Sequence, residues 1–141
     1  MTLDKVRPEV RWAIEAAQDK KAQHVTVLDL NELSAFAQYF VVCSGESTPQ
    51  LEAISDAIEG RLASHGLKLA HREGRNGAEW VLLDYGRVVI HIFSERARLY
   101  YDLERLWRAA PRTDVPSPGE SSASRSNIPP RSSADSEAAQ R

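Results

Sequence analysis

The sequence predicts an α/β two-layer sandwich with a mixed β-sheet, and three observations predict it. Two segments, residues 7–22 and 48–66, carry apolar side chains at helical spacing. Five short runs are alternating or continuously apolar and rich in β-branched residues, as strands are. The helix from Thr48 stands between strands and can form the crossover that parallel neighbours require. At 141 residues with 42% apolar content, the chain suits a single domain able to bury a core.

Along residues 7–22, Val10, Ala13, Ile14 and Ala17 form one stripe. Pro8 fits the first turn, where its missing N–H costs nothing, and Lys20 and Lys21 suit the negative end of the helix dipole. Residues 24–30 alternate as a strand, and residues 31–36 form a connector. The continuous apolar run at residues 39–43 reads as a strand buried on both faces. Thr48 is placed to cap the next helix, with Pro49 at its first position. Leu51, Ile54, Ile58 and Leu62 make its stripe, and Gly66 supplies a left-handed residue past its end. Residues 67–74 alternate as a third strand. Residues 79–84 and 87–93 form a hairpin about Tyr85-Gly86. Residues 94–110 close the domain with one or two helical turns, in which Tyr101, Leu103, Glu104 and Trp107 are spaced to meet neighbours three or four positions away.

The composition changes after Ala110. Residues 111–141 hold five prolines, eight serines and no aromatic residue, with four arginines balancing four acids. Such a segment buries too little surface to offset its ordering entropy. The expected organisation is therefore a domain over residues 1–110 and a disordered Ser/Pro-rich tail over residues 111–141.

Charge and cysteine usage narrow the function. A formal net charge of -2 argues against a protein that grips nucleic acid by neutralising phosphates, and leaves room for a basic protein partner. Cys43 is the single cysteine, so no internal disulfide can form, which points to a reducing, cytoplasmic setting. The first residues carry acids and lack the apolar core of a secretory signal.

An enzyme needs convergent groups. Residues 43–48 join a strand to a helix, a junction that can cradle phosphate. Metal-dependent nucleotidyl transfer also needs paired carboxylates, and no Asp-x-Asp occurs; nor does a P-loop or a dinucleotide fingerprint. Ser47 and Thr48 therefore read as helix caps. The four histidines, His24, His65, His71 and His91, show no metal-ligand spacing. No catalytic residue, metal ligand or cofactor is assigned.

The stretch Trp80 to Phe93 remains, apolar yet holding Asp84, Arg87 and His91. Alternation puts Trp80, Leu82 and Asp84 on one side of their strand and Val81, Leu83 and Tyr85 on the other. If Val81 and Leu83 meet the helices, Trp80 and Leu82 look out from an open face, as interface anchors do. Alternatively, the C-terminal helix with Tyr101 and Trp107 covers that face. His91 is either part of a recognition face or a hydrogen-bonded sheet histidine.

Five blocks, at residues 27–30 (VLDL), 39–45 (YFVVCSG), 80–86 (WVLLDYG), 88–93 (VVIHIF) and 101–107 (YDLERLW), stand in the order and spacing of the ribosomal silencing factor (RsfS, or Iojap) family. The chain resembles that family over residues 5–110. The resemblance implies a fold like the nucleotidyltransferases without their catalytic acids. It implies a non-enzymatic regulator that binds the large ribosomal subunit at universal large-subunit protein fourteen (L14-type), blocks joining of the small subunit, and represses translation when nutrients are scarce. By position it places Trp80, Leu82, Asp84, Tyr85 and His91 at or beside the contact. Separately, exposed apolar sheet faces often self-associate, which leaves a free homodimer that opens to bind as an open alternative. The chain departs from the pattern at Arg87, where the family often has an acid, at Gln38, where it often has aspartate, and in the loop before the long helix, where an arginine often follows the serine and Pro49 lies in that neighbourhood here.

Overall fold

The structure is a computed structural model and describes residues 5–118. Helix α1 (Pro8–Asp19) starts on its proline, and Val10, Ala13, Ile14 and Ala17 are all buried, as the stripe requires. It stops before Lys20 and Lys21. Strand β1 (Gln23–Asp29) follows, and its register to the next strand shifts between Gln23 and Thr26, where His24 takes a left-handed φ of 52°. Strand β2 (Tyr39–Gly45) is longer than its apolar run because Ser44 and Gly45 continue the ladder.

Helix α2 (Thr48–Ser64) is capped by Ser47, whose hydroxyl accepts from the Gln50 amide at 3.2 Å, one residue earlier than the expected Thr48 cap. Leu51, Ile54, Ile58 and Leu62 are fully buried, and Gly66 has the left-handed φ of 82° that ends the helix. Strand β3 is confined to His71–Glu73, shorter than the run predicted over residues 67–74. Leu67 and Leu69 instead pack into the main core as the chain approaches the sheet edge. Strands β4 (Trp80–Asp84) and β5 (Val88–Ser94) form the expected hairpin, with Gly86 at φ 88°.

The C-terminal helical segment is broken. Helix α3 (Glu95–Tyr101) ends at Asp102, which adopts φ 50° and ψ 50°, and helix α4 (Leu103–Leu106) starts anew. The next element corrects the expected domain boundary. Arg112–Asp114 form strand β6, antiparallel to β1, so the chain past residue 110 belongs to the sheet. Its backbone groups gain ladder partners along an edge that would otherwise expose unpaired amides and carbonyls. Val115 follows β6 onto the main core, and the chain beyond residue 118 lies outside the described residues.

Among the described residues six strands run β3-β4-β5-β2-β1-β6, and only β2 and β5 pair in parallel, with α2 in the crossover between them. This is the mixed sheet of an α/β sandwich. Helices α1 and α2 cover one face over Val27, Val41, Cys43, Val81, Leu83, Ile90 and Ile92, which form the main core. Helix α3, α4 and the segment to Ala110 lie over the other face, on two smaller clusters around Phe93 and Leu28.

Candidate interaction face

The second face is where apolar side chains meet solvent. In β4 the side chains alternate: Val81 and Leu83 are buried under the helices, while Trp80, Leu82 and Asp84 are half-exposed on the opposite side. Trp80 is neither open nor sealed. Its ring sits 4.6 Å from that of Tyr101 on α3 and 4.9 Å from Phe93 beneath it. Both expectations for this face thus hold in part, because α3 and α4 are too short to cover the sheet.

The five residues expected at the contact divide three ways. Trp80 and Leu82 lie on the second face and present surface. Asp84 shares their face, but its Oδ1 is occupied by the Gly86 amide at 2.7 Å and shapes the turn. Tyr85 belongs to the other face. It packs into the main core, and burial together with the carboxylate of Glu59 pushes its phenol up to about 12. His91 is only 3% exposed, so it supports the face from below and offers almost no surface of its own.

His91 supports Trp80. The indole Nε1–H donates to His91 Nδ1 at 3.1 Å, so the imidazole is neutral with its proton on Nε2. That Nε2 is buried and has no hydrogen-bond partner among the described residues, and the His91 and Phe40 ring centroids are 4.6 Å apart at 65°. Burial lowers the His91 pKa to about 4. The mixture of polar and apolar residues in this hairpin thus orients an aromatic anchor and shapes a turn.

Most of the exposed apolar surface lies elsewhere on this side. Leu99, Tyr100 and Leu106 on α3 and α4 are 81%, 80% and 74% exposed, and Tyr101 is 53% exposed. Phe36, on the β1–β2 connector, is 92% exposed. That connector adjoins the segment after α4, because Ala37 shares a cluster with Trp107 and Ala110. The signal for the helical residues was present in the sequence. Residues 99–107 hold more apolar side chains than two short helices can turn inward, so some must face water. Nothing local marks Phe36.

The phosphate-cradle candidate has a different character. The cleft at the carboxyl ends of β2 and β5 is lined by Gly45, Glu46, Glu79, Ser94, Glu95 and Arg96, a mostly acidic rim. Cys43, next to it in sequence, is fully buried, and desolvation pushes its thiol up to about 12, which suits an inert core residue. Among the described residues, no group of three or more His, Cys, Asp or Glu side chains is placed to hold a metal ion. No helix among them is long and apolar enough to cross a membrane.

Among the described residues, a six-stranded mixed sheet with one helix-packed face and one aromatic, partly open face defines an α/β sandwich. A family model described as "Ribosomal silencing factor during starvation" matches residues 4–141. The chain belongs to the ribosomal silencing factor (RsfS) family. The match extends past the last of the five sequence blocks, consistent with β6 being part of the domain. The chain is similar to the ribosomal silencing factor RsfS of Bacillus subtilis, with 40% identity over 106 residues, which is 75% of this chain and 90% of the relative. A crystal structure of a Chromobacterium violaceum protein superposes with a TM-score of 0.70 at 31% identity, covering 84% of this chain and 97% of that one. A Bacillus halodurans structure gives 0.67 at 35% identity, covering 75% and 96%.

Proposed function

We propose that this chain silences translation by occupying volume on the large ribosomal subunit. It docks through the second face of its sheet onto universal large-subunit protein fourteen and blocks approach of the small subunit during nutrient limitation. The observation that carries this reading is the set of exposed side chains Phe36, Leu99, Tyr100 and Leu106, together with the half-exposed Trp80 and Leu82, the first of which packs on Tyr101 of α3. Exposed apolar groups of this size are costly to keep in water unless a partner covers them. Aromatic anchors at the centre of an interface carry about 2 kcal/mol or more each. A formal net charge of -2 favours approach to a basic ribosomal protein. Steric obstruction needs no chemistry, so the protein acts as a non-enzymatic regulator in the cytoplasm. A free homodimer joined through the same face is compatible with this scheme and would open on binding.

The alternative, a nucleotide-binding role at residues 45–47, fits less well. A polyphosphate in that cleft would meet Glu46, Glu79 and Glu95 against the single cation of Arg96.

The test is sedimentation of the protein with purified large and small subunits, followed by a subunit-association assay. Co-sedimentation with large subunits alone, and fewer joined ribosomes, is the expected result. Equal binding to both subunits, or unimpaired joining, would sink the proposal. Calorimetry with nucleotide and a divalent cation tests the alternative directly.

A further inference from the structure

Helix α4 carries the exposed Leu106, yet it has no buried residue of its own, and α3 has only Ala97. Among the described residues, apolar packing holds these helices only through Ala97, the partly buried Leu103 and the ring of Tyr101. The chain also turns between them through the left-handed Asp102. What spans the break is a closed ring of side chains. Arg98 on α3 donates from Nε to Glu104 Oε2 on α4 at 2.7 Å, and from Nη2 to Thr26 Oγ1 on β1 at 3.2 Å. Thr26 Oγ1 donates in turn to Asp114 Oδ1 on β6 at 2.9 Å. Arg112 of β6 closes the circuit, with Nε on Asp114 Oδ1 at 2.9 Å and Nη1 against Glu104 Oε1 at 2.9 Å. Arg98 Nη1 adds bonds to the His24 carbonyl at 2.7 Å and Ser44 Oγ at 2.9 Å.

The ring balances two guanidinium groups with two carboxylates around one hydroxyl. Arg98 is only 11% exposed and Glu104 17%, so their bond is poorly screened. Burial works against ionisation of Glu104, but Arg98 and Arg112 outweigh it and hold the carboxyl below its ordinary range. Asp114 behaves likewise: burial is outweighed by Thr26 and Arg112.

We propose that β6 is a clasp whose Arg112 and Asp114, through Glu104, Thr26 and Arg98, hold α3 and α4 in the posture that presents Leu99, Tyr100 and Leu106. The strand that composition assigns to the tail thus positions the interaction surface. This rests on the functional reading above for its binding readout but not for its structural one. Arg112 and Thr26 are positioning residues. Thr26, at 1% exposure, cannot touch a partner directly.

The test uses the full chain with Arg112→Ala and Thr26→Val. Two quantities are followed, amide hydrogen exchange and co-sedimentation with purified large ribosomal subunits. In both variants, amides of residues 99–110 should lose protection while those of α2 and β5 keep theirs, and binding should weaken roughly tenfold. Arg112→Lys should recover part of both effects. Unchanged exchange at residues 99–110 overturns the proposal, as does loss of protection spread evenly through the sheet. Weaker binding without a change in exchange also overturns it, because Arg112 would then be a direct contact. If the parent protein fails to bind large subunits, the functional reading falls while the exchange result still decides the clasp.

Discussion

The indole N–H of Trp80 is hydrogen-bonded to Nδ1 of His91, 3.1 Å across the β4–β5 ladder, where Leu82 is the residue directly opposite His91. An anchor on the surface is thereby fixed by a neutral imidazole beneath it.

Acid should weaken the domain through this pair. The folded pKa of His91 is lowered to about 4 from 6.5 by burial. A depressed folded pKa means that the unfolded chain takes up the proton first. The stability tied to the neutral ring is complete above about pH 6.5 and is lost progressively as the pH falls toward 4, by roughly 3 kcal/mol at the limit. Urea unfolding at stepped pH measures it. His91→Phe should flatten the curve across this window, and an unchanged slope in that variant would exclude His91 as the source.

Substitutions on the two faces should separate binding from folding. Leu99→Glu and Tyr100→Glu alter exposed side chains, so unfolding should shift by no more than about 0.5 kcal/mol. Large-subunit co-sedimentation should nevertheless be lost. Tyr85→Phe, on the helix-packed face, should bind as the parent does. Denaturant melts and sedimentation on the same preparations check both halves.

Arg72 should prove a structural requirement. Its side chain is 2% exposed and pairs with Glu52 at 2.9 Å and with Glu59, tying β3 to α2. Arg72→Ala leaves Glu52 and Glu59, both on α2, without their shared cation and should cost about 2 kcal/mol. A thermal melt that matches the parent would contradict this.

Cys43 should be unreactive in the folded protein. The thiol is fully buried, and burial pushes its pKa up to about 12. A thiol reagent such as iodoacetamide should label it only at the rate of unfolding, and at once in denaturant. Fast labelling under native conditions would place it in an accessible site instead.

Periodicity revealed much of the fold, and the reasons can be seen in particular residues. Val10, Ala13, Ile14 and Ala17 repeat at helical spacing because one face of α1 is buried, and Val81 and Leu83 alternate with Trp80 and Leu82 because β4 has one covered side. Strand β6 escaped because Arg112, Thr113 and Asp114 carry no apolar signal, and their reason to be extended is the β1 edge, far away in sequence. The break at Asp102 escaped because the spacing of Tyr101 to Trp107 fits a continuous helix equally well. Of the residues expected at or beside the contact, alternation put Trp80 and Leu82 together and Tyr85 opposite, while resemblance by position carries no information on burial. His91 was therefore grouped with Trp80. Phe36 was missed because exposure is a property of the assembled fold.

The parallel pairing of β2 with β5 has a consequence for biosynthesis. During translation β2 leaves the ribosome early and can pair with β1 at once, but its inner neighbour is made only after α2, β3 and β4. The apolar side chains of a half-made sheet must therefore wait for a strand that arrives late, and the nascent chain is most prone to sticking during that interval.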